Sequence, residues 1–445
     1  MSKYVTAIDL GTTKIVAAVG EKSAGGIKIL AYSRVKSTGI IKGEVVNIKK
    51  VCDALKPALS DLQNKIEGYR IDKEKIYVGI TAQNLRCISD SCCNQRSNPT
   101  DYITEEELNT YIEKMYNTKV EANEKVIYCS PQFYNIDEYQ GVKDAVGMTG
   151  NTIEAYYQLF IGKKTPSLQA EQTIIRSGLK LETIVLNPIA TSLSVLDDED
   201  KELGCVMVDI GSGTTDMVIY HDKVIRYAAV IPFAGNSITE DIRQECELAQ
   251  KTAEAIKQKQ GTAIVSADNN DKNITIKSED GITKKIPFNK LTETIEARAS
   301  EICATIKHEI EKSGYQGKLR RGIILTGGSS SLTHLQILLK EITGLNVFIK
   351  TPSTSKEIMN TSVPEITKRN SSTICGLIQY GFMNMEKRGI EIEENNPTLF
   401  GTEVEKTEEE KEKESNYKKS KKKKKKERSI GGFLDDFFSS KNDDA

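Results

Sequence analysis

The chain has 445 residues, 38% of them hydrophobic, and a formal net charge of −1. That length and apolar content imply more than one globular domain, and the near-neutral balance excludes a chain-wide binder of nucleic acid or another polyanion. Its nine cysteines form no Cys-x-x-Cys pair, and its three histidines, His221, His308 and His334, are not clustered with them. A disulfide framework, a zinc site and histidine-based nucleophilic chemistry therefore lose their support; with no signal-peptide pattern at Met1-Ser2-Lys3-Tyr4, the thiols read as reduced and cytoplasmic.

In chain order, β-branched apolar runs predict strands over Tyr4–Leu10, Lys14–Glu21 and Ile27–Ser37. An amphipathic helix over Ile48–Ile66, with a kink at Pro57, and a strand over Lys75–Thr81 follow. From Asn84 to Phe160 the pattern changes to a small α+β unit. It holds an extended stretch, a helix to about Asn117 opened by the capping box Thr104-Glu105-Glu106-Glu107, and strands over Lys125–Tyr139 and Thr152–Phe160. A helix over Ser167–Gly178 and a strand over Leu181–Asn187 return to the parent domain. Helices are predicted over Gly235–Leu248 and Lys251–Lys259, then short strands with a turn at Asn269–Asp271, then a long helix over Lys290–Lys312.

Two glycine-rich turns, each entered from a strand ending in aspartate, lie a domain apart: Asp9-Leu10-Gly11-Thr12-Thr13-Lys14 and Asp209-Ile210-Gly211-Ser212-Gly213-Thr214-Thr215-Asp216. Glycine lets the backbone approach a ligand closely, the exposed amides of such a turn attract an anion, and threonine hydroxyls add hydrogen bonds to phosphate oxygens. A carboxylate beside a phosphate cradle would repel it unless a cation lies between them. Asp9 and Asp209 therefore predict a shared magnesium ion held through its waters. One such turn is an ordinary hairpin about as often as a site; two at this separation are a stronger signal. A third segment, Gly322 to Leu332, runs from a strand through Gly327-Gly328-Ser329 into a helix over Leu332–Ile342, where small residues let a purine ring pack on backbone. A plain strand-to-helix turn reads the same way.

In this order, the two hairpins and the late Gly-Gly turn resemble the superfamily of actin, the heat-shock chaperone ATPases and the sugar kinases. The insert, with Ser130-Pro131-Gln132-Phe133-Tyr134-Asn135-Ile136-Asp137 and Val146-Gly147-Met148-Thr149-Gly150, is similar to that of the FtsA family. The match continues through Ile231-Pro232-Phe233-Ala234-Gly235-Asn236 and Ala253-Glu254-Ala255-Ile256-Lys257 and covers roughly residues 3–381. The resemblance implies an α/β chain of two actin-like, ribonuclease-H-like domains around a nucleotide cleft. The first domain spans 1–83 and 163–200 around an inserted subdomain at 84–162. The second spans 201–236 and 318–385 around a smaller subdomain at 237–317. A charged linker at 386–428 and an amphipathic helix at 429–445 complete the chain. It further implies ATP and magnesium as ligands, with Gly235 and Asn236 among the nucleotide-binding residues and Glu254 and Lys257 on the adenosine side. An exposed i, i+3 ion pair is the plain reading of Glu254 and Lys257. Also implied are polymerisation on the cytoplasmic face of the cell membrane at the division septum, contact with later division proteins, and tethering of the FtsZ ring. The FtsZ C-terminal peptide is expected on the helix carrying Arg298 and Glu301, where a planar guanidinium suits a carboxylate; an Arg298–Glu301 pair on one helix face is the alternative.

The tail argues from its own chemistry. Seven acids between Glu403 and Glu414 precede nine basic residues between Lys418 and Arg428, and such blocks stay disordered. Ile430, Phe433, Leu434, Phe437 and Phe438 then recur at i, i+3, i+4, i+7 and i+8, one apolar helical face behind a cationic run. Each basic residue contributes about 1 kcal/mol near an anionic leaflet and each buried apolar side chain ~1.5–3 kcal/mol, against the cost of ordering so short a helix. One tail should bind anionic lipids reversibly, and many tails on one filament firmly. A solubilising tail or nucleic-acid arm is the alternative, although neither needs an apolar stripe.

Hydrolysis needs a group that positions water. MreB-like relatives carry a Glu before Pro where this chain reads Leu186-Asn187-Pro188, and Asn187 can orient water but cannot take its proton. The expectation is at most a slow ATPase. A sugar-kinase-type phosphotransferase and a PilM-like pilus-assembly ATP binder remain as alternatives.

Overall fold

The computed structural model describes residues 4–23, 26–265, 272–277, 283–352 and 363–387. Among them are β1 (Tyr4–Leu10), β2 (Lys14–Ser23), β3 (Gly26–Lys36), the short pair β4 (Ile40–Ile41) and β5 (Glu44–Val45), α1 (Ile48–Lys65) and β6 (Lys75–Ile80). The insert contributes β7 (Arg86–Gln95), α2 (Glu105–Tyr116), β8 (Glu124–Ile136), β9 (Tyr139–Val142) and β10 (Thr152–Lys163). Then come α3 (Lys164–Arg176), β11 (Lys180–Leu186), α4 (Asn187–Val195), α5 (Asp198–Leu203), β12 (Cys205–Ile210), β13 (Thr215–His221) and β14 (Val224–Ile231). The remainder is α6 (Gly235–Glu245), α7 (Gln250–Gln260), β15 (Asn273–Lys277), β16 (Thr283–Pro287), α8 (Phe288–Lys312), β17 (Gly322–Thr326), α9 (Leu335–Thr343), β18 (Val347–Ile349) and α10 (Ser372–Lys387).

Two five-stranded sheets share one topology. The first runs β3-β2-β1-β6-β11 and the second β14-β13-β12-β17-β18, each with an antiparallel meander on one side and two parallel strands on the other. Parallel neighbours need helical crossovers that bury both sheet faces, which is why β1, β12 and β17 are buried almost throughout. α1, capped by the Asn47 side chain on the Lys50 amide, lays Val51, Leu55, Ala58 and Leu62 on the first sheet; Pro57 faces solvent within a continuous helix. In the second half α8 buries Leu291, Ile295, Ala299, Ile302, Ile306 and Ile310 at helical spacing. α4 and α10 cross between the halves and pack on each other so closely that Gly376 leaves no room for a Cβ beside the Ala190 carbonyl.

The insert forms its own sheet, β7-β10-β8-β9, covered by α2. Only the forward half of the expected capping box forms. Thr104 accepts from the Glu107 amide at 3.2 Å, while the Glu107 carboxylate turns to Arg96 in a two-pronged pair at 2.9 and 3.1 Å and to the Tyr111 hydroxyl. Arg96, with its side chain only 6% exposed, also donates to the Asp101 and Gly150 carbonyls. Glu107→Ala is expected to cost the insert about 3 kcal/mol, because it leaves a buried guanidinium without its counter-charge; urea unfolding followed on the insert would measure it.

Further boundaries differ from the expectations. The strand predicted to reach Tyr139 ends at Ile136, where Asp137 turns the chain at φ +48° and its carboxylate takes the Asn151 and Thr152 amides. β15 and β16 pair antiparallel from Asn273↔Pro287 to Lys277↔Thr283, and the turn predicted at Asn269–Asp271 lies outside the described residues. A 3-10 turn, Gly328–Ser331, comes before α9, which starts three residues later than expected. The amphipathic face predicted from Ile430 to Phe438 lies wholly outside the described residues. Among those described, no helix is long and apolar enough to cross a membrane.

Candidate functional site

The β1–β2 and β12–β13 turns meet. Thr13 Oγ1 donates to Ser212 Oγ at 3.0 Å, and a Cβ on Gly213 would collide with the Thr12 side chain. Thr12 is itself held by the Gly43 amide, which donates to its hydroxyl at 2.8 Å. The Gly211 amide bonds the Thr214 carbonyl at 3.0 Å, closing the second turn. Its own carbonyl takes the Gly235 amide at 3.2 Å and the Ser329 hydroxyl at 2.6 Å, while the Asn236 amide reaches the Ser212 carbonyl at 2.7 Å. One hairpin, the start of α6 and the Gly327-Gly328-Ser329 turn are thus bonded around one point. Gly327 sits at φ +93°, and a side chain there would strike Asp209 and Ile210.

Three carboxylates line this junction. Asp9 and Asp209 lie at the ends of equivalent central strands, and Asp216 on β13 is paired directly opposite Asp209 of β12. Burial raises Asp9 to about 6, with Lys14 opposing and Asp209 assisting. Asp209 is pushed up by burial and moderated by the Thr191 and Thr373 hydroxyls, which donate to its Oδ2 at 3.2 and 3.4 Å, and by Lys14. Asp216 is raised furthest, by burial and by the other two carboxylates, and its buried Oδ1 has no hydrogen-bond partner. Against them stands Lys14, whose Nζ donates to the Asn370 carbonyl and whose pKa burial depresses. A site with more buried carboxylate than cation, an unpartnered acceptor and glycines that keep side chains out fits a bound cation beside an anion. Among the described residues no group of three or more His, Cys, Asp and Glu could grip a metal directly. Magnesium would accordingly be held through its waters and a nucleotide's oxygens.

The remaining expected residues divide. Thr214 and Thr215 are buried; Thr215 donates to the Phe233 carbonyl at 3.1 Å, so its hydroxyl braces the hairpin. Lys257 and Glu254 do pair, at 2.7 Å, but not as an exposed surface pair: Lys257 is buried, and its Nζ also bonds the Gly235 carbonyl and Thr239 Oγ1. They fasten α7 to the start of α6. Asn187 lies at the start of α4 beside Gly79, the parallel partner of Asp9; its Nδ2 donates to Thr81 Oγ1 at 3.1 Å and its buried Oδ1 is unpartnered. Arg298, on α8, is already occupied, gripping Asp241 of α6 with two nitrogens and Glu301 with a third. The sequence reading assigned no role to Asp216, Thr191, Thr373 or Asn370. Strand alternation across the hairpin could have found Asp216. The other three come from helix and loop segments with no local signal.

Two equivalent sheets, their hairpins facing each other and bonded to a late Gly-Gly turn, define a protein of the actin-like class. The fold is similar to MreB5 of Spiroplasma citri solved with ADP, at a TM-score of 0.51 and 16% identity over 87% of this chain and 98% of that one. It is also similar to a chain of the PilM-PilN type IV pilus biogenesis complex, at 0.57 and 14% over 85% and 98%. The family model described as cell division protein FtsA matches residues 206–369, and that of the SHS2 domain inserted in FtsA matches 83–161. Cell division protein FtsA of Pseudomonas aeruginosa is 30% identical over 407 residues, 89% of this chain and 94% of that protein. Its counterpart in Escherichia coli K12 is 27% identical over 414 residues, 91% and 96%. The chain belongs to the FtsA family of cell division proteins.

Proposed function

We propose that this cell-division protein binds ATP with magnesium between its two hairpins and uses it to set a polymer-competent shape, hydrolysing it slowly if at all. The observation that carries the reading is the bonded junction of hairpin, α6 start and Gly-Gly turn around the Asp9, Asp209 and Asp216 carboxylates. Gly11, Thr12, Thr13, Lys14, Gly211, Ser212 and Gly213 would hold the phosphates; Gly235, Asn236, Gly327, Gly328 and Ser329 would face the adenosine, with Glu254 and Lys257 behind them. Magnesium would supply the charge that lets phosphates lie beside carboxylates. Asn187 can orient a water but offers no base, which fits a conformational use of ATP better than rapid turnover. Calorimetry of the full chain should find one ATP per chain, with binding lost on chelating magnesium; no heat at millimolar ATP would overturn the reading.

The tail would tether the protein to the cytoplasmic face of the membrane at the division site through the face of Ile430, Phe433, Leu434, Phe437 and Phe438. Phe433→Glu with Phe437→Glu should release the chain from anionic vesicles and leave ATP binding untouched. Raised salt should weaken the unaltered chain only in part, since the apolar face is not screened. Persistent co-sedimentation of the double variant would refute this anchor.

The FtsZ C-terminal peptide would dock on α8. Because Arg298 already holds Asp241, an incoming carboxylate must displace the exposed Glu301. Arg298→Glu should weaken the peptide at least tenfold, about 1.4 kcal/mol; a change within about twofold, ~0.4 kcal/mol, places the contact elsewhere.

A further inference from the structure

We propose that Thr81 is a positioning residue for ATP hydrolysis, fixing the Asn187 amide that holds the attacking water, and that position 79 is glycine because any side chain there would displace that amide. The inference rests on the nucleotide reading above and adds to it the parts played by Thr81, Gly79 and Gly43. Asn187 opens α4 and its amide is held at one end: Nδ2 donates to Thr81 Oγ1 at 3.1 Å, with both residues buried. The other end, Oδ1, is turned away from Thr81, buried and without a hydrogen-bond partner. Strand register places this oxygen. Gly79 lies beside Asp9 in parallel register, and paired residues project to the same face of a sheet. That face is the one covered by α10, because Val5 and Ala7, which alternate with Ile8 and Leu10, pack in one cluster with Tyr77 and Leu377. A Cβ on Gly79 would collide with Asn187 Oδ1, so the oxygen fills the place of the missing side chain next to Asp9. One helical turn along α4, Thr191 donates to Asp209 Oδ2 at 3.2 Å. Residues at i and i+4 of one helix face thus lie against both strand-end aspartates. Asn187 Oδ1 and the Asp9 carboxylate together offer two acceptors, enough to hold a water.

Thr81 is itself keyed to the first phosphate hairpin through the β4–β5 turn. The Gly43 amide of that turn donates to Thr12 Oγ1 at 2.8 Å, and a Cβ on Gly43, which sits at φ +76°, would strike the Thr81 side chain. Gln83, two residues past Thr81, fastens the turn from the other side. Its Nε2 donates to the Lys42 carbonyl at 3.1 Å and its backbone amide to Glu44 Oε1 at 3.3 Å. Phosphate cradle and water acceptor are thereby referenced to one turn, which is what an in-line approach of water to phosphorus requires. In that step the water oxygen bonds to the γ-phosphorus while the bond to the β–γ bridging oxygen breaks, its electron pair leaving on ADP. One proton of the water stays on its oxygen, and the other passes to a phosphate oxygen, because the Asn187 amide cannot take it. Without Thr81 Oγ1 the amide would be free to turn, and its oxygen would no longer be held beside Asp9.

The test separates turnover from affinity in the full chain, with single-turnover release of phosphate from γ-labelled ATP and magnesium for the first and calorimetry for the second. Thr81→Val keeps the shape of the side chain and presents a methyl to Asn187 Nδ2. It should slow phosphate release at least about tenfold and leave the Kd for ATP within about twofold. Thr81→Ser, which keeps the hydroxyl, should restore most of the rate. Gly79→Ala should slow release by a similar factor with ATP still bound. Added to Asn187→Leu, Thr81→Val should cause no further loss, because the two side chains act as one unit. An unaltered rate in Thr81→Val or Gly79→Ala, a Kd that weakens in step with the rate in Thr81→Val, or a Thr81→Ser chain as slow as Thr81→Val would overturn the inference. So would an unaltered chain that binds ATP and releases no phosphate above the buffer rate, an outcome that leaves the nucleotide reading standing. If calorimetry finds no ATP bound to the unaltered chain, that reading itself fails and the role of Thr81 falls with it.

Discussion

Gly213→Val is expected to abolish ATP binding while leaving the protein folded. A Cβ at this position would overlap the Thr12 side chain across the hairpin junction, and the valine branches would fill the space a phosphate needs. Gly213 lies outside the left-handed φ region, so the backbone itself tolerates the exchange. The clash is with one threonine at the tip of the facing hairpin, which can retreat by separating the turns. The fold should therefore survive with an unfolding temperature within a few degrees of the unaltered chain, while calorimetry shows at least a hundredfold loss of affinity, ~2.7 kcal/mol or more. Gly211→Val is the milder exchange, since a Cβ there meets only the Thr214 carbonyl at 3.0 Å. Equal affinity in the Gly213→Val chain would mean that the phosphates do not lie between these turns.

Asp209→Asn should separate function from stability. Asp209 is buried within reach of the Asp9 and Asp216 carboxylates, which it helps to raise, and is itself relieved by the Thr191 and Thr373 hydroxyls and by Lys14. A carboxyl whose pKa rises on folding loses stability as the pH climbs from its unfolded value towards its folded one, and that loss is complete once the folded group is ionised. Removing the charge at neutral pH should thus leave the nucleotide-free chain as stable as before, or raise its unfolding temperature by a few degrees. Magnesium-dependent ATP binding should nevertheless fall by at least about a hundredfold, ~2.7 kcal/mol, because the amide cannot attract the cation. Strain of this kind is what ligand sites carry at the expense of stability. A variant that loses stability and keeps its ATP affinity would show that Asp209 is structural.

The two hairpins were legible in the sequence because everything that makes them is local. A β-branched run, an aspartate, one or two glycines and a second run specify strand, turn and strand without help from the rest of the chain. α10 escaped notice for the opposite reason. Packed between α4 and the first sheet, it is buried nearly all round and has no polar stripe from which to read a helical period. The half-formed cap at Thr104 shows a tertiary contact overriding a local rule: Glu107 satisfies a buried arginine instead of its own helix end. Thr191 and Thr373 reach the site from α4 and α10, and Asn370 from the 3-10 turn Arg369–Ser371 just before α10, a placement that pattern spacing does not encode. Asp216 was present in the quoted motif, but its importance depends on lying buried opposite Asp209 with an oxygen unpartnered.

Co-sedimentation of the full chain with anionic vesicles, with and without ATP and magnesium, beside a chain ending at Ser415, tests most directly whether a nucleotide-set polymer is held on a membrane by its tail. The account predicts that the full chain sediments with vesicles, more completely when ATP assembles many tails on one filament. The shortened chain should bind ATP equally well and stay in the supernatant. Equal sedimentation of the two chains, or a full chain whose recovery with vesicles ignores ATP, would contradict it.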